Sequence, residues 1–515
     1  MTWLWILLVP LAALVVVVVV YDLTQRRSAV LRNFPIVGHL RFMLEGIGPE
    51  LRQYIVTDND SERPFSRDER RWVYASAKNE NNYFGFGTDN DLERSSGYVI
   101  IKPSAFPVPS PHPGEPGWDD DHRIPVGKVL GGARQRAKAF RMASVVNVSS
   151  MSYGALGAHA VEALNRGVAI DGLLQGTGEG GISDHHRHGG DLVWQIGTGY
   201  FGCRDADGRF DLERFKDTVA ANPQVRAIEI KLSQGAKPGL GGVLPGVKVT
   251  PEIAAIRGIP VGVTCVSPPA HRAFHDVDSM LDFVELLATE SGLPVGVKTA
   301  VGHADFFAEI TRLMASNDRG VDFITIDGGE GGTGAGPLAF TDSVALPFKV
   351  GFARALRELQ EHDVAERVVL IGSGRLGLPV QALIAFGLGA DAVNVGREAM
   401  LALGCIQAQR CHTDRCPSGV ATHNRWLERG LVPEVKSHRV ANYLRQLRRE
   451  LLWLSRACGV HHPALVTLDR LEVLEAGYAV RSAAETFGYH ADWGAPSPER
   501  AAEINELMNR KASRG

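Results

Sequence analysis

The sequence predicts an α/β fold, a (β/α)8 TIM barrel with an N-terminal transmembrane helix and a helical C-terminal extension. Two observations point to the barrel. Eight short apolar runs between residues 143 and 395 alternate with helical patterns, as repeated βα units require. Nearly every run ends in a glycine-rich or polar loop. A closed parallel barrel carries its ligand groups there, whereas an open doubly wound sheet, the competing fold, gathers them at one switch point.

Residues 1–27 form the first element. Trp3 to Tyr21 carries no charge, and nineteen helical residues span about 28 Å, close to a hydrocarbon core of about 30 Å. Tryptophans at one end and Tyr21 at the other suit the two interfaces. A cleaved signal peptide is the alternative, but no Lys or Arg precedes the run and no small-x-small site follows it. Arg26, Arg27 and Arg32 come next, so the positive-inside rule places the body of a single-pass protein on the cytoplasmic side.

Residues 28–140 read as a charge-mixed lead-in, ordered in pieces and wrapped on the barrel. It contains TDNDSERPFSRDERR and the proline-rich PSAFPVPSPHPGEPG. Residues 141–425 hold the barrel. Its strands are expected at 143–149, 172–175, 192–197, 227–233, 294–299, 321–327, 367–373 and 390–395. Between the first two, Val161, Leu164 and Val168 repeat on one face of a helix over 158–168. Residues 426–515 read as helical, with a stripe of Leu444, Leu447, Leu451 and Leu454 and a stop at Gly459.

The net charge of -3 gives no electrostatic case for nucleic acid. Six cysteines in 515 residues make no disulfide framework. Three of them crowd into GCIQAQRCHTDRCPSGVAT, as Cys405, Cys411 and Cys416 with the spacing C-x5-C-x4-C. Thiolates suit iron–sulfur clusters or zinc. Three cysteines without a fourth leave one corner of a cubane empty, giving a 3Fe-4S cluster. Zinc would need His412, which adjoins Cys411 and makes tetrahedral ligation awkward. Free thiols are a third alternative, and spacing alone does not separate cluster from zinc.

Three further patterns carry chemistry. GSGRLG (372–377) and GRE (396–398) follow strands seven and eight, where such barrels hold a phosphate on backbone N–H groups. Arg375 and Arg397 lie there to add charge-assisted bonds. Lys298, at the inward end of strand five, is costly to bury unless it faces a site or pairs with an acid such as Asp327. Lys231, Gln234, Lys237 and Lys248 surround the glycine-rich loop of EIKLSQGAKPGLGGVLPGVKV (229–249), a setting for an anion such as a carboxylate.

Together with SMSYGALG (150–157), GTGEGG (176–181), SPPAH (267–271), DGGEGGTGAGP (327–337) and CPSGVAT, these motifs resemble the FMN-binding domain of glutamate synthase, from about 145 to 425. GYFGCR (199–204) and ALGCIQAQRCH look most like stand-alone bacterial members of that family. The resemblance implies FMN over the C-terminal ends of the strands and a 3Fe-4S cluster on Cys405, Cys411 and Cys416. It implies transfer of hydride from reduced flavin to 2-iminoglutarate, formed from 2-oxoglutarate and ammonia, to give glutamate. Met151, Ser152, Gln234, Lys298 and Gly329 would contact the flavin. Gly374, Arg375, Gly396 and Arg397 would lie at its phosphate, and Lys237 and Arg257 would hold the carboxylates. Glu179 would sit near the isoalloxazine, with Lys298 and Gln234 as its catalytic companions.

The chain departs from the family pattern at Leu240 and Val243, where an acid and a glutamine are usual. Valine cannot replace the hydrogen bonds of a substrate-contacting glutamine, so a less polar or different acid is an option. No N-terminal cysteine nucleophile and no NADPH-binding domain are evident. Nitrogen and electrons are therefore expected from outside, from an external donor and a glutaminase subunit. Two other readings stay open: attachment of another amine, as in N-methylglutamate-forming proteins, and an electron-transfer subunit of a membrane complex.

Overall fold

The computed structural model describes residues 2–25, 28–56, 58–93, 95–115 and 118–512. Arg26 and Arg27, two of the expected basic flank, lie outside the described residues. The chain forms two compact units, Met1–Asp68 and Glu69–Gly515.

In the first unit, helix Thr2–Thr24 includes Trp5–Thr24, long and apolar enough to cross a membrane, with a mean hydropathy of 2.8. Its leucines and valines are mostly exposed. Shorter helices follow at Ala29–Asn33 and Val37–Leu51.

In the second unit, eight strands fall on the eight expected runs. They are β1 (Val146–Val148), β2 (Leu174–Gly176), β3 (Asp191–Ile196), β4 (Val225–Lys231), β5 (Val295–Ala300), β6 (Phe323–Asp327), β7 (Val369–Ser373) and β8 (Ala392–Val395). All pair in parallel, and the ring closes where β8 meets β1, with Val393 opposite Val146 and Val395 opposite Val148. Strands such as β6 and β7 are buried throughout, which is why they read as continuous Val/Ile/Leu runs rather than alternating ones. A buried polar knot crosses the barrel interior. Glu229 of β4 accepts hydrogen bonds from Gln195 Nε2 (2.6 Å) and Thr325 Oγ1 (2.6 Å), tying β3, β4 and β6 together.

The leucine stripe belongs to helix Pro433–Ala457, which packs on helix Ala158–Asp171. Leu444, Leu447 and Leu451 are fully buried. A Cβ on Gly167 would lie 2.7 Å from Val440 Cβ, so only glycine lets the two helices approach this closely. Arg445 and Arg448 both bind Asp171 across the contact, at 2.5 and 2.6 Å. Gly459 follows the helix end at φ 89, as expected of a stop. The C-terminal extension is not helical throughout, however. Leu471–Leu474 and Val480–Ser482 form an antiparallel sheet with Val99–Ile101 of the lead-in. Strands this short show no period of their own, and their register is set by a distant partner.

Candidate functional site

Strand β4 and the loops after β2 and β4 bring four charged side chains to one end of the barrel. Lys231, the last residue of β4, donates to Glu179 Oε1 at 2.7 Å and to Gln234 Oε1 at 2.6 Å. The Glu179 carboxylate passes between two glycines. A Cβ on Gly197 or Gly242 would lie 2.6 or 2.5 Å from its oxygens. Arg257 ends helix Pro251–Arg257, which Gly258 stops at φ 60. Its Nη2 donates to the Tyr153 carbonyl at 3.0 Å, and its face lies 5.2 Å from the Phe201 ring centre. Its Nε is buried without a hydrogen-bond partner among the described residues. Lys237 is buried alongside.

The electrostatics follow from this crowding. Burial alone would raise the Glu179 carboxyl, but Lys231, then Lys237 and Arg257, hold it below the usual carboxylate range. Burial and the Lys231 charge lower Lys237. Burial lowers Arg257, opposed by Cys265 and Glu179. One carboxylate among three cations leaves a positive surplus, a setting suited to an anion.

His271 braces this group. Its Nε2 lies 2.9 Å from the Lys231 carbonyl, which can only accept, so Nε2 carries the proton. Nδ1 then accepts from the Tyr200 hydroxyl at 3.0 Å. Burial pushes the imidazole down to about 4, so it is neutral at pH 7.

A second group lies on the neighbouring strand. Lys298, opposite Lys231 in the β4–β5 register, is buried with its Nζ 3.5 Å from Asp327 Oδ2. The same Asp327 oxygen accepts from the Gly235 N–H at 2.9 Å. A Cβ on Gly235 would sit 1.7 Å from the Gly328 carbonyl oxygen, so the loops after β4 and β6 touch backbone to backbone. The Gly329 N–H donates to the Leu346 carbonyl at 2.8 Å.

Gly374 follows β7 at φ 114, against the Gly328 backbone. Arg375 binds both oxygens of Glu69 at 2.7 Å. Arg397 donates to the Glu330 carbonyl. Burial lowers Arg397, as does the Arg375 charge. Burial and Arg375 also lower Lys349, at the start of helix Phe348–Glu361. Three cations thus converge at the ends of β6, β7 and β8. Gly396 lies close to Met151, where a Cβ would be 3.9 Å from its sulfur. Gly178, at φ 69, has room only for hydrogen where the Ser152 N–H passes.

The three cysteines share the loop after the last barrel helix, and all are free thiols. Burial pushes Cys405 up to about 12, with Cys411 and Cys416 adding to the rise. Burial and the Cys416 thiol also raise Cys411. The three sulfurs are close enough to feel one another. Gln407, Gln409 and Asp414 all take left-handed backbone, so this loop is wound tightly between its cysteines.

Sequence reasoning reached Glu179, Lys231, Gln234, Lys237, Arg257, Lys298 and the cysteines, and they group as described. It missed Lys349, which lies in a helix without any motif. It also missed the brace from His271, although SPPAH was singled out. The sign there was a histidine following two prolines, in a loop that must fold back on the barrel.

Residues 126–461 match the conserved region in glutamate synthase. Glutamate synthase large subunit-like protein YerD of Bacillus subtilis is 37% identical over 86% of this chain and 89% of its own length. Archaeal glutamate synthase (NADPH) of Methanocaldococcus jannaschii is 35% identical, over 65% of this chain and 63% of its own length. A glutamate synthase large subunit-like protein of Rhizobium meliloti is 30% identical, over 65% of this chain and 76% of its own length.

Proposed function

The chain belongs to the glutamate synthase family as an oxidoreductase of that type, and we propose that it uses FMN and a 3Fe-4S cluster to aminate a 2-oxo acid reductively. The substrate is 2-oxoglutarate, taken by way of 2-iminoglutarate to glutamate, with nitrogen and electrons supplied from outside. The observation that carries this reading is the group of Lys231 with the buried Lys237 and Arg257 around Glu179, beside the buried Lys298 on the next strand.

The residues present fit both cofactors. Arg375, Arg397 and Lys349, with Gly374 and Gly396, suit a phosphate. Met151, Ser152, Gln234 and Lys298 would contact the flavin, and a buried cation such as Lys298 would stabilise the charge of its reduced form. Three free cysteines on one loop, near enough for their charges to interact, support the cluster. When bound, FMN would supply the reducing equivalents to the C=N carbon, and the cluster would feed it one electron at a time.

The protein's own groups do the rest. Lys237 and Arg257 hold the acid's carboxylates, and the unpartnered Arg257 Nε is one donor ready for them. Glu179, kept ionised by its cations, accepts a hydrogen bond from the incoming amine and fixes the Lys231 ammonium. Phe201, lying over Arg257, screens that guanidinium from water on one face.

A second reading is attachment of a larger amine than ammonia. Leu240 and Val243 flank the glycine that abuts Glu179, and both are partly exposed apolar groups. One experiment treats both readings. Reduce the purified protein anaerobically, then add 2-oxo acids with ammonium or methylamine and follow flavin reoxidation. Reoxidation by 2-oxoglutarate with ammonium supports the first reading, and by a methylamine pair the second. None across a broad panel refutes both and leaves electron transfer alone.

The apolar helix is proposed as a single membrane span, with the catalytic unit on the cytoplasmic side. Its length and a mean hydropathy of 2.8 support this. Protein released from membranes by alkaline carbonate would overturn it.

A further inference from the structure

We propose that Lys248 is a positioning residue that carries the counter-charge for the cysteine-held cluster and ties its loop to the loop after β1. The inference rests on the iron–sulfur reading above. Lys248 ends the one-turn helix Gly246–Lys248 and is 1% exposed. Its Nζ donates to the Ala155 carbonyl at 2.5 Å and to the Cys411 carbonyl at 3.2 Å. Ala155 lies in SMSYGALG, four residues beyond Met151, and Cys411 is the middle cysteine. One ammonium therefore joins three segments: the loop after β4, the loop after β1 and the cysteine loop.

This ammonium has no carboxylate within salt-bridge distance among the described residues. A fully buried cation of that kind is costly unless an anion lies near. The ionisable groups that face it are Cys411, Cys416, Asp414, Arg257 and His423. Asp414, whose Oδ1 accepts from the His423 N–H at 2.7 Å, supplies part of the balancing charge from beyond salt-bridge distance, and Arg257 shares the positive sign. The rest comes from the thiolates of Cys411 and Cys416, which become fully charged only when they bind metal. Iron held by three thiolates would gain an electron next to this ammonium. The cation then stabilises the reduced form more than the oxidised one.

The test is a mediated redox titration of the full-length protein with its cluster and flavin, followed by visible and paramagnetic signatures of the cluster. Lys248→Met should lower the cluster midpoint by at least the equivalent of a tenfold change in a one-electron equilibrium, about 59 mV. Lys248→Arg should stay near wild type. Loss of iron from Lys248→Met with flavin retained, restored by Lys248→Arg, supports the same role. An unshifted midpoint in Lys248→Met at full iron content overturns the proposal. So does iron loss in both variants, which would assign the site to packing. If Lys248→Met does not fold, Lys248→Gln replaces it with the same two outcomes. Wild-type protein without iron would instead sink the cluster reading itself.

Discussion

Replacing Glu179 by Gln removes one negative charge and changes no volume between Gly197 and Gly242. The Lys231–Glu179 contact is 2.7 Å, and the side chains are 11% and 17% exposed. At an effective dielectric of about 20, the Coulomb attraction at that distance is about 6 kcal/mol. Much of it offsets the desolvation of both ions. Removing one partner of a buried pair costs about 3–5 kcal/mol, and the residual exposure places this one near the lower end. Glu179→Gln should therefore lose about 3 kcal/mol of stability at pH 7 in urea unfolding of the purified protein. It should also bind glutarate, an unreactive dicarboxylate, at least tenfold more tightly, because three cations are left without their carboxylate. Turnover should fall while that affinity rises. Unchanged stability together with unchanged glutarate affinity would refute the reasoning, because the pair would then be screened like a surface contact.

Three other outcomes are expected. Gly235→Ala forces a Cβ toward the Gly328 carbonyl oxygen; it should cost about 1–3 kcal/mol and weaken FMN binding, read by flavin fluorescence. His271 is neutral in the fold, with its pKa depressed to about 4. Its contribution is present above its unfolded pKa of about 6.5 and is lost as pH falls toward 4, because the unfolded chain binds the extra proton. Stability should drop by up to about 1.4 kcal/mol per pH unit in that window, and His271→Gln should remove this part of the slope in denaturant midpoints measured from pH 7 to 4. Cys411→Ala should abolish the cluster's broad visible absorption and leave the flavin bands; retention of both would overturn the ligand assignment.

The barrel was legible because each strand is a buried apolar run closed by glycine or a polar group. Val369–Ser373 and Phe323–Asp327 are examples with no exposed position to blur the pattern. Closure itself is not local, since it depends on Asn394 meeting Asn147 across the whole domain. The cation-rich loop after β4 was readable from its lysines and glycines. What was not readable was which lysine does what. Lys231 pairs with Glu179, Lys237 lies beside them, and Lys248 turns away to the cysteine loop. Those directions are set by contacts with other loops. Lys349 left no trace because a lysine at a helix start is ordinary until the fold places Arg375 near it. The short strands at 471–474 and 480–482 were hidden because their partner is the lead-in.

Metal and flavin analysis of the purified, full-length protein tests the central claim most directly. Stoichiometric FMN together with iron and acid-labile sulfide, and no zinc, is the predicted result. Colourless protein after anaerobic reconstitution, or zinc in place of iron, would contradict it.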